Sequence, residues 1–160
     1  MGTQRSTYTV SFDQQTIAAA SGDHDFFEIT PADDRPIEIV AIHIGNKSEV
    51  GDAQEEFVAW SIVRGNTTTG NGTSATGRPL DERDATAGFA AETVSTTPAT
   101  GGTPITLFAG TFNIRAGLDY VWPETMRPRC DQSSTMICVR LLTALADDAT
   151  FSGTIWVREL

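Results

Sequence analysis

The chain has 160 residues, and its 11 lysines and arginines against 21 aspartates and glutamates give a net charge of −10, which repels phosphate backbones and argues against nucleic acid as a direct partner. No apolar run approaches the roughly 20 residues needed to cross a bilayer, and the opening MGTQRSTYTV lacks the basic-then-apolar layout of a secretory leader, so no membrane role is expected. A chain of this size sustains one hydrophobic core without staples; the expectation is a flexible arm over residues 1–6 and a single domain over 7–160.

In chain order, Tyr8, Val10 and Phe12 alternate with Thr9 and Ser11, the period of a half-buried strand. Phe26, Phe27 and Ile29 form a second apolar patch that ends at Thr30-Pro31, and residues 32–36 supply a turn. Over 37–44 both faces are apolar, with Ile37, Ile39, Ala41 and His43 on one and Glu38, Val40, Ile42 and Ile44 on the other. Residues 57–64 repeat this, with Phe57, Ala59 and Val63 opposed to Val58, Trp60 and Ile62. One core does not account for two apolar faces, so a long loop or a neighbouring subunit is expected to cover the second.

The Gly/Thr-rich stretch GNTTTGNGTSATGRPL at 65–80 buries too little apolar surface to order itself in isolation and reads as a long loop. Asp81 is placed to cap a short helix over 81–87 that Gly88 stops. Further strands are expected at 89–96, 103–108, 111–114, 118–122, 135–142 and 150–159. The class is therefore all-β, an antiparallel sandwich of jelly-roll or Greek-key type with about eight or nine strands and at most one short helix. In the last strand Phe151, Ile155 and Val157 share one face, which leaves Trp156 and Arg158 on the nominally wet side. Tryptophan and arginine are enriched at interfaces, and Trp60, Trp122 and Arg127 join these two as interface candidates.

The chemistry-bearing residues are sparse. His43 lies in an apolar strand and His24 in an apparent turn, with no nucleophile elbow or cysteine signature beside either. Asp23-His24-Asp25 with Asp33-Asp34 is the densest acidic cluster, and it matches no calcium-loop spacing; it reads as a solvated turn. Cys130 and Cys138 read as unpaired thiols, Cys138 within a buried strand. The sequons at Asn46, Asn66 and Asn71 read as turn chemistry. No catalytic residue, metal or cofactor is assigned, and the chain is not expected to be an enzyme.

Four stretches, FEITPADDRPIEIVAIHIG, GRPLD after the Gly/Thr loop, TFNIRAG with YVWPETMRPR, and the closing FSGTIWVREL, together resemble small structural proteins from the virion gene clusters of tailed bacteriophages. The resemblance spans most of the chain and rests on segments without chemistry. It implies a place in the virion for a protein made in the host cytoplasm: a decoration or cement protein binding the major capsid protein, or alternatively a head–tail connector or tail component. Fold-level analogy adds a homo-oligomer, with a trimer suited to local three-fold axes. A carbohydrate-binding sandwich using Trp122 or Trp156 as a sugar platform is the alternative from another class.

Overall fold

A computed structural model describes residues 6–49 and 55–160; the expected arm at 1–6 lies outside the described residues apart from Ser6. Two six-stranded antiparallel sheets face each other. The first contains β1 (Thr7–Ile17), β3 (Ile37–Asn46), β6 (Arg78–Pro79), β9 (Leu118–Val121), β10 (Arg129–Cys130) and β12 (Ala149–Glu159). Its order is β10-β3-β12-β1-β6, with β9 following β10 along the same edge of β3. The second contains β2 (His24–Thr30), β4 (Phe57–Asn66), β5 (Thr73–Ala75), β7 (Ala90–Ser95), β8 (Ile105–Asn113) and β11 (Met136–Leu141), in the order β5-β7-β2-β11-β4-β8. The all-β sandwich expected from periodicity is the observed architecture.

Strand β12 keeps strict alternation, so Phe151, Ile155 and Val157 enter the core while Trp156 and Arg158 stand outside. Gly153 is the one glycine on that inner face, because the ring of Phe12 occupies the space a Cβ would take, at 2.8 Å. The doubly apolar strand β3 has a different cause from the one expected. Trp156 pairs with Ala41 but Val157 pairs with Ile39, so Val40 is an extra residue that switches the phase of the strand. Ile37 and Ile39 point inward before this bulge and Ile42 and Ile44 after it, all four in one core. No second cover is needed for β3.

For β4 the expected covering loop is found at Val63 but not at Phe57, which is 63% exposed. Val58, Trp60 and Ile62 face the main core, while Val63 is buried on the outer side, where Ala99, Met136 and Cys138 form a small separate cluster. The cover is local chain: Thr68 and Thr100 bridge the two loops that cross here, and Gly70 N–H bonds Glu28 at 2.9 Å. The Gly/Thr-rich stretch then contributes β5 to the second sheet and β6 to the first, lacing one side of the sandwich.

Two local expectations are corrected. Residues 81–87 form a single turn, not a helix; Asp81 bonds the Arg83 N–H and guanidinium, and Tyr8 draws the chain away by donating to the Ala85 carbonyl at 3.1 Å. Seven residues followed by a glycine do not repay helix nucleation. The two strands expected at 103–108 and 111–114 are one, β8, which runs straight through Gly110. Packing favours glycine there, since a Cβ would lie 3.1 Å from Trp60 Nε1, a tight contact.

Candidate interaction surface

The residues expected to carry chemistry are absorbed into the structure separately. His24 is buried at the start of β2, not in an exposed turn, with Nδ1 2.8 Å from the Gly22 carbonyl. Its neighbour Ser21 donates to the Ala18 carbonyl at 2.6 Å, so the hydroxyl proton is already committed. His43 is the exposed histidine, on the outer face of β3, where it meets Asp119 at 2.5 Å. The acidic cluster disperses: Asp25 forms a two-point ion pair with Arg140 at 2.6 and 2.9 Å and accepts the Ala99 N–H, while Asp33 accepts from Ser133. Among the described residues no group of three or more His, Cys, Asp or Glu is arranged to hold a metal.

Both cysteines are free and buried. Burial, reinforced by Asp25 and Glu28, pushes the Cys138 thiol far above its ordinary range. Of the sequon asparagines only Asn46 makes a turn, its Oδ1 accepting the N–H groups of Ser48 and Glu49; Asn71 Oδ1 accepts the N–H of the distant Thr97, and Asn66 ends strand β4 and donates to the Gly101 carbonyl.

The interface candidates gather at one corner, but not all at the surface. Trp60 and Trp122 are only 2% and 3% exposed, so neither is a platform for a ligand. They belong to an aromatic cluster with Phe108 and Tyr120, whose ring centroids lie between 4.6 and 6.5 Å apart. Their burial reflects tertiary packing of β4 against β9 that alternation within each strand does not reveal.

Beside this cluster three guanidinium groups converge on one carboxylate. Glu38 is fully buried; Arg127 donates to its Oε1 at 2.8 Å, Arg158 to the same oxygen at 3.3 Å, and Arg129 to Oε2 at 3.1 Å. Strand register produces two of these contacts, because Glu38 pairs with Arg158 on one side and Arg129 on the other. Arg127 arrives from the loop after the short 3-10 turn Glu124–Met126 and also reaches the Trp122 carbonyl. Arg64 lies close by, donating to the Arg129 carbonyl at 2.8 Å. Glu124 approaches Arg158 at 3.7 Å, so four arginines meet two glutamates, a cationic spot on an acidic protein. Sequence reading found Arg127 and Arg158 but missed Glu38, Arg64 and Arg129; the register of β3 is the signal that joins them.

The outer face of the first sheet carries cross-strand rows. One row runs Val121, Ala41, Trp156, Thr9; the next runs Asp119, His43, Thr154, Ser11. Trp156 is half-buried at the middle of the first row, and Val121 at its end is 73% exposed. Around the corner, Leu107, Phe108, Tyr120 and Met126 line a cleft of about 380 Å³ with the arginines, and Met126 is 65% exposed. The arrangement offers apolar surface next to guanidinium groups, of which Arg129 is the most exposed, suited to gripping a protein neighbour. Comparison of the chain with protein-family models, with curated proteins and with solved structures finds no match.

Proposed function

We propose that this chain is a structural, partner-binding protein of a tailed-phage particle, acting as a decoration protein on the outer surface of the head. The observation that carries the reading is the outer face of the first sheet, where Val121, Ala41 and Trp156 present apolar surface beside the Arg158–Glu38–Arg129 row. The outward face of a sandwich sheet ordinarily meets water with polar side chains, and a tryptophan flanked by arginine is the residue pair that dominates binding energy at interfaces.

The strand order supports the same reading. With β5, β6 and β7 set aside, β1-β12-β3-β9/β10 faces β2-β11-β4-β8, the order of a two-Greek-key jelly roll, an architecture used by viral capsid and lectin domains. The net charge of −10 keeps such a protein off packaged DNA and soluble before assembly, as suits an outer component that binds the major capsid protein.

The test is co-sedimentation of the purified chain with phage shells that lack it. Saturable binding at a symmetric copy number is expected, weakened about tenfold or more by Trp156→Ala with the free protein still folded. Absence of binding to shells removes the head-decoration role and directs the same assay to connectors and tails. If Trp156→Ala unfolds the free chain, Trp156 belongs to the core and the face is wrongly assigned.

A further inference from the structure

Among the described residues only one of the two long sides of this sandwich is closed. Segment 66–89 ties the two sheets together on the β7 and β1 side, whereas the opposite side ends in β8 on one sheet and β9 with β10 on the other. β8 spans nine residues, ITLFAGTFN, pairs with β4 alone, and carries neither charge nor proline. Exposed edge strands in soluble proteins are normally blunted by lysine, proline or a covering loop, because their free N–H and C=O groups template pairing with another chain. On β8 the one irregularity is a bulge at Leu107, near its start.

The register fixes which backbone groups are free. Ala59 in β4 donates its N–H to Thr143 Oγ1 at 2.7 Å and accepts from the Leu142 N–H at 2.8 Å, so both of its main-chain groups point away from β8. Antiparallel ladders alternate hydrogen-bonded and non-hydrogen-bonded pairs. Ala59↔Thr111 and Ser61↔Ala109 are therefore the non-hydrogen-bonded pairs, and the N–H and C=O of Thr111 and Ala109 are directed out of the sheet. Gly110 lies between them, leaving the centre of the edge flat.

We propose that β8 pairs antiparallel with β8 of a second copy of this chain, about a twofold axis through Gly110. Ala109 of each copy then faces Thr111 of the other, and each such pair exchanges both main-chain hydrogen bonds. Charge selects a second copy. Two molecules of charge −10 repel over most approaches, and β8 offers a contact strip with no charge of its own.

Its two ends are complementary. Arg64 and Arg129 share a cleft with Ile105 and Asp131 at the start of β8, two arginines against one aspartate. At the far end Asn113 pairs with Phe57, and the Ile114 N–H bonds the Glu56 carbonyl, which brings Glu55 and Glu56 there with Arg115 beside them, a surplus of one carboxylate among the described residues. Antiparallel pairing sets the cationic end of one strand against the acidic end of the other. The added strand also extends over the cleft that holds Leu107 and Met126. The contact lies on a twofold axis, in contrast to the three-fold arrangement suggested by fold analogy, and it does not depend on the virion reading.

Sedimentation velocity of the full chain over about 1–100 µM tests this. The expected result is a concentration-dependent monomer–dimer equilibrium. Ala109→Glu places like charges beside the axis in both copies, and Thr111→Pro removes an outward N–H without touching the ladder to β4; each should weaken dimerisation about tenfold or more while the melting transition persists. Should one variant fail to fold, the other still reads the edge. A chain that stays monomeric throughout, a trimer, or a dimer indifferent to whichever variants fold overturns the proposal. Loss of shell binding with dimerisation intact would count against the virion reading alone.

Discussion

Replacing Glu28 with glutamine should make the protein more stable at neutral pH, and the gain should depend on pH in a defined way. Glu28 sits on the outer side of the second sheet between Cys138 and Glu92, sealed beneath the loop that carries Gly70. Oε2 accepts the Gly70 N–H at 2.9 Å, but Oε1 is buried without a well-formed hydrogen bond. Burial raises its pKa above the ordinary carboxyl value, and Asp25 and Glu92 add to that, outweighing the lowering by the Gly70 N–H and the Ser95 hydroxyl. A glutamine keeps an oxygen for Gly70 and turns an N–H donor toward the Thr97 carbonyl, which crowds the same space above Gly70 as Oε1.

Removing a buried, unsatisfied acceptor is worth about 1–2 kcal/mol, or roughly 2–8 °C in Tm for a domain of this size. The sign of the pH effect follows from linkage. A folded-state pKa above the unfolded value means the folded wild type binds the proton more tightly, so this group favours folding most at low pH. That contribution is lost as pH rises from about 4.3, the unfolded value, through the raised folded value. The stability advantage of Glu28→Gln should therefore be smallest below about pH 4, grow above it, and level off. Urea unfolding from about pH 4 to 8, followed by tryptophan fluorescence, measures the difference between the two proteins. A difference that shrinks with rising pH, or a variant less stable than wild type at neutral pH, would refute the reasoning.

Glu38→Ala removes the buried carboxylate shared by Arg127, Arg129 and Arg158 and should cost about 3–5 kcal/mol, read as an earlier urea midpoint with unchanged slope; a loss under about 1 kcal/mol would mean the arginines simply turn to solvent. Cys138, buried and with its thiol pKa pushed far up, should resist a thiol reagent at mildly alkaline pH in the folded protein and react once urea unfolds it. Rapid labelling of Cys138 in the native state, mapped by mass spectrometry, would contradict that burial.

Much of the fold was legible because the first half of β1, all of β12 and the ends of β3 keep a period of two. What escaped were the register changes. An extra residue at Val40 makes both faces of β3 look apolar, and nothing in the local sequence distinguishes a bulge from a strand covered on both sides. Gly110 reads as a break because its function, clearance for Trp60, is contributed by a distant strand. Of the site, Arg158 and Trp156 were readable from alternation in β12 alone. Glu38 was not, since a glutamate at the start of an apolar strand acquires meaning only when β10 and β12 bring arginines to either side.

The lacing by segment 66–89 gives the molecule a clasp on one side and an open mouth on the other. Fluctuations in the spacing of the two sheets are then expected to be smallest along the clasp and largest along β8 and β9, as in a book held by its spine. The Trp60–Phe108–Tyr120–Trp122 rings stand at that mouth and bridge both covers, so they are the first core groups to sense its opening. A partner seated along the mouth would damp this breathing and hold the book shut.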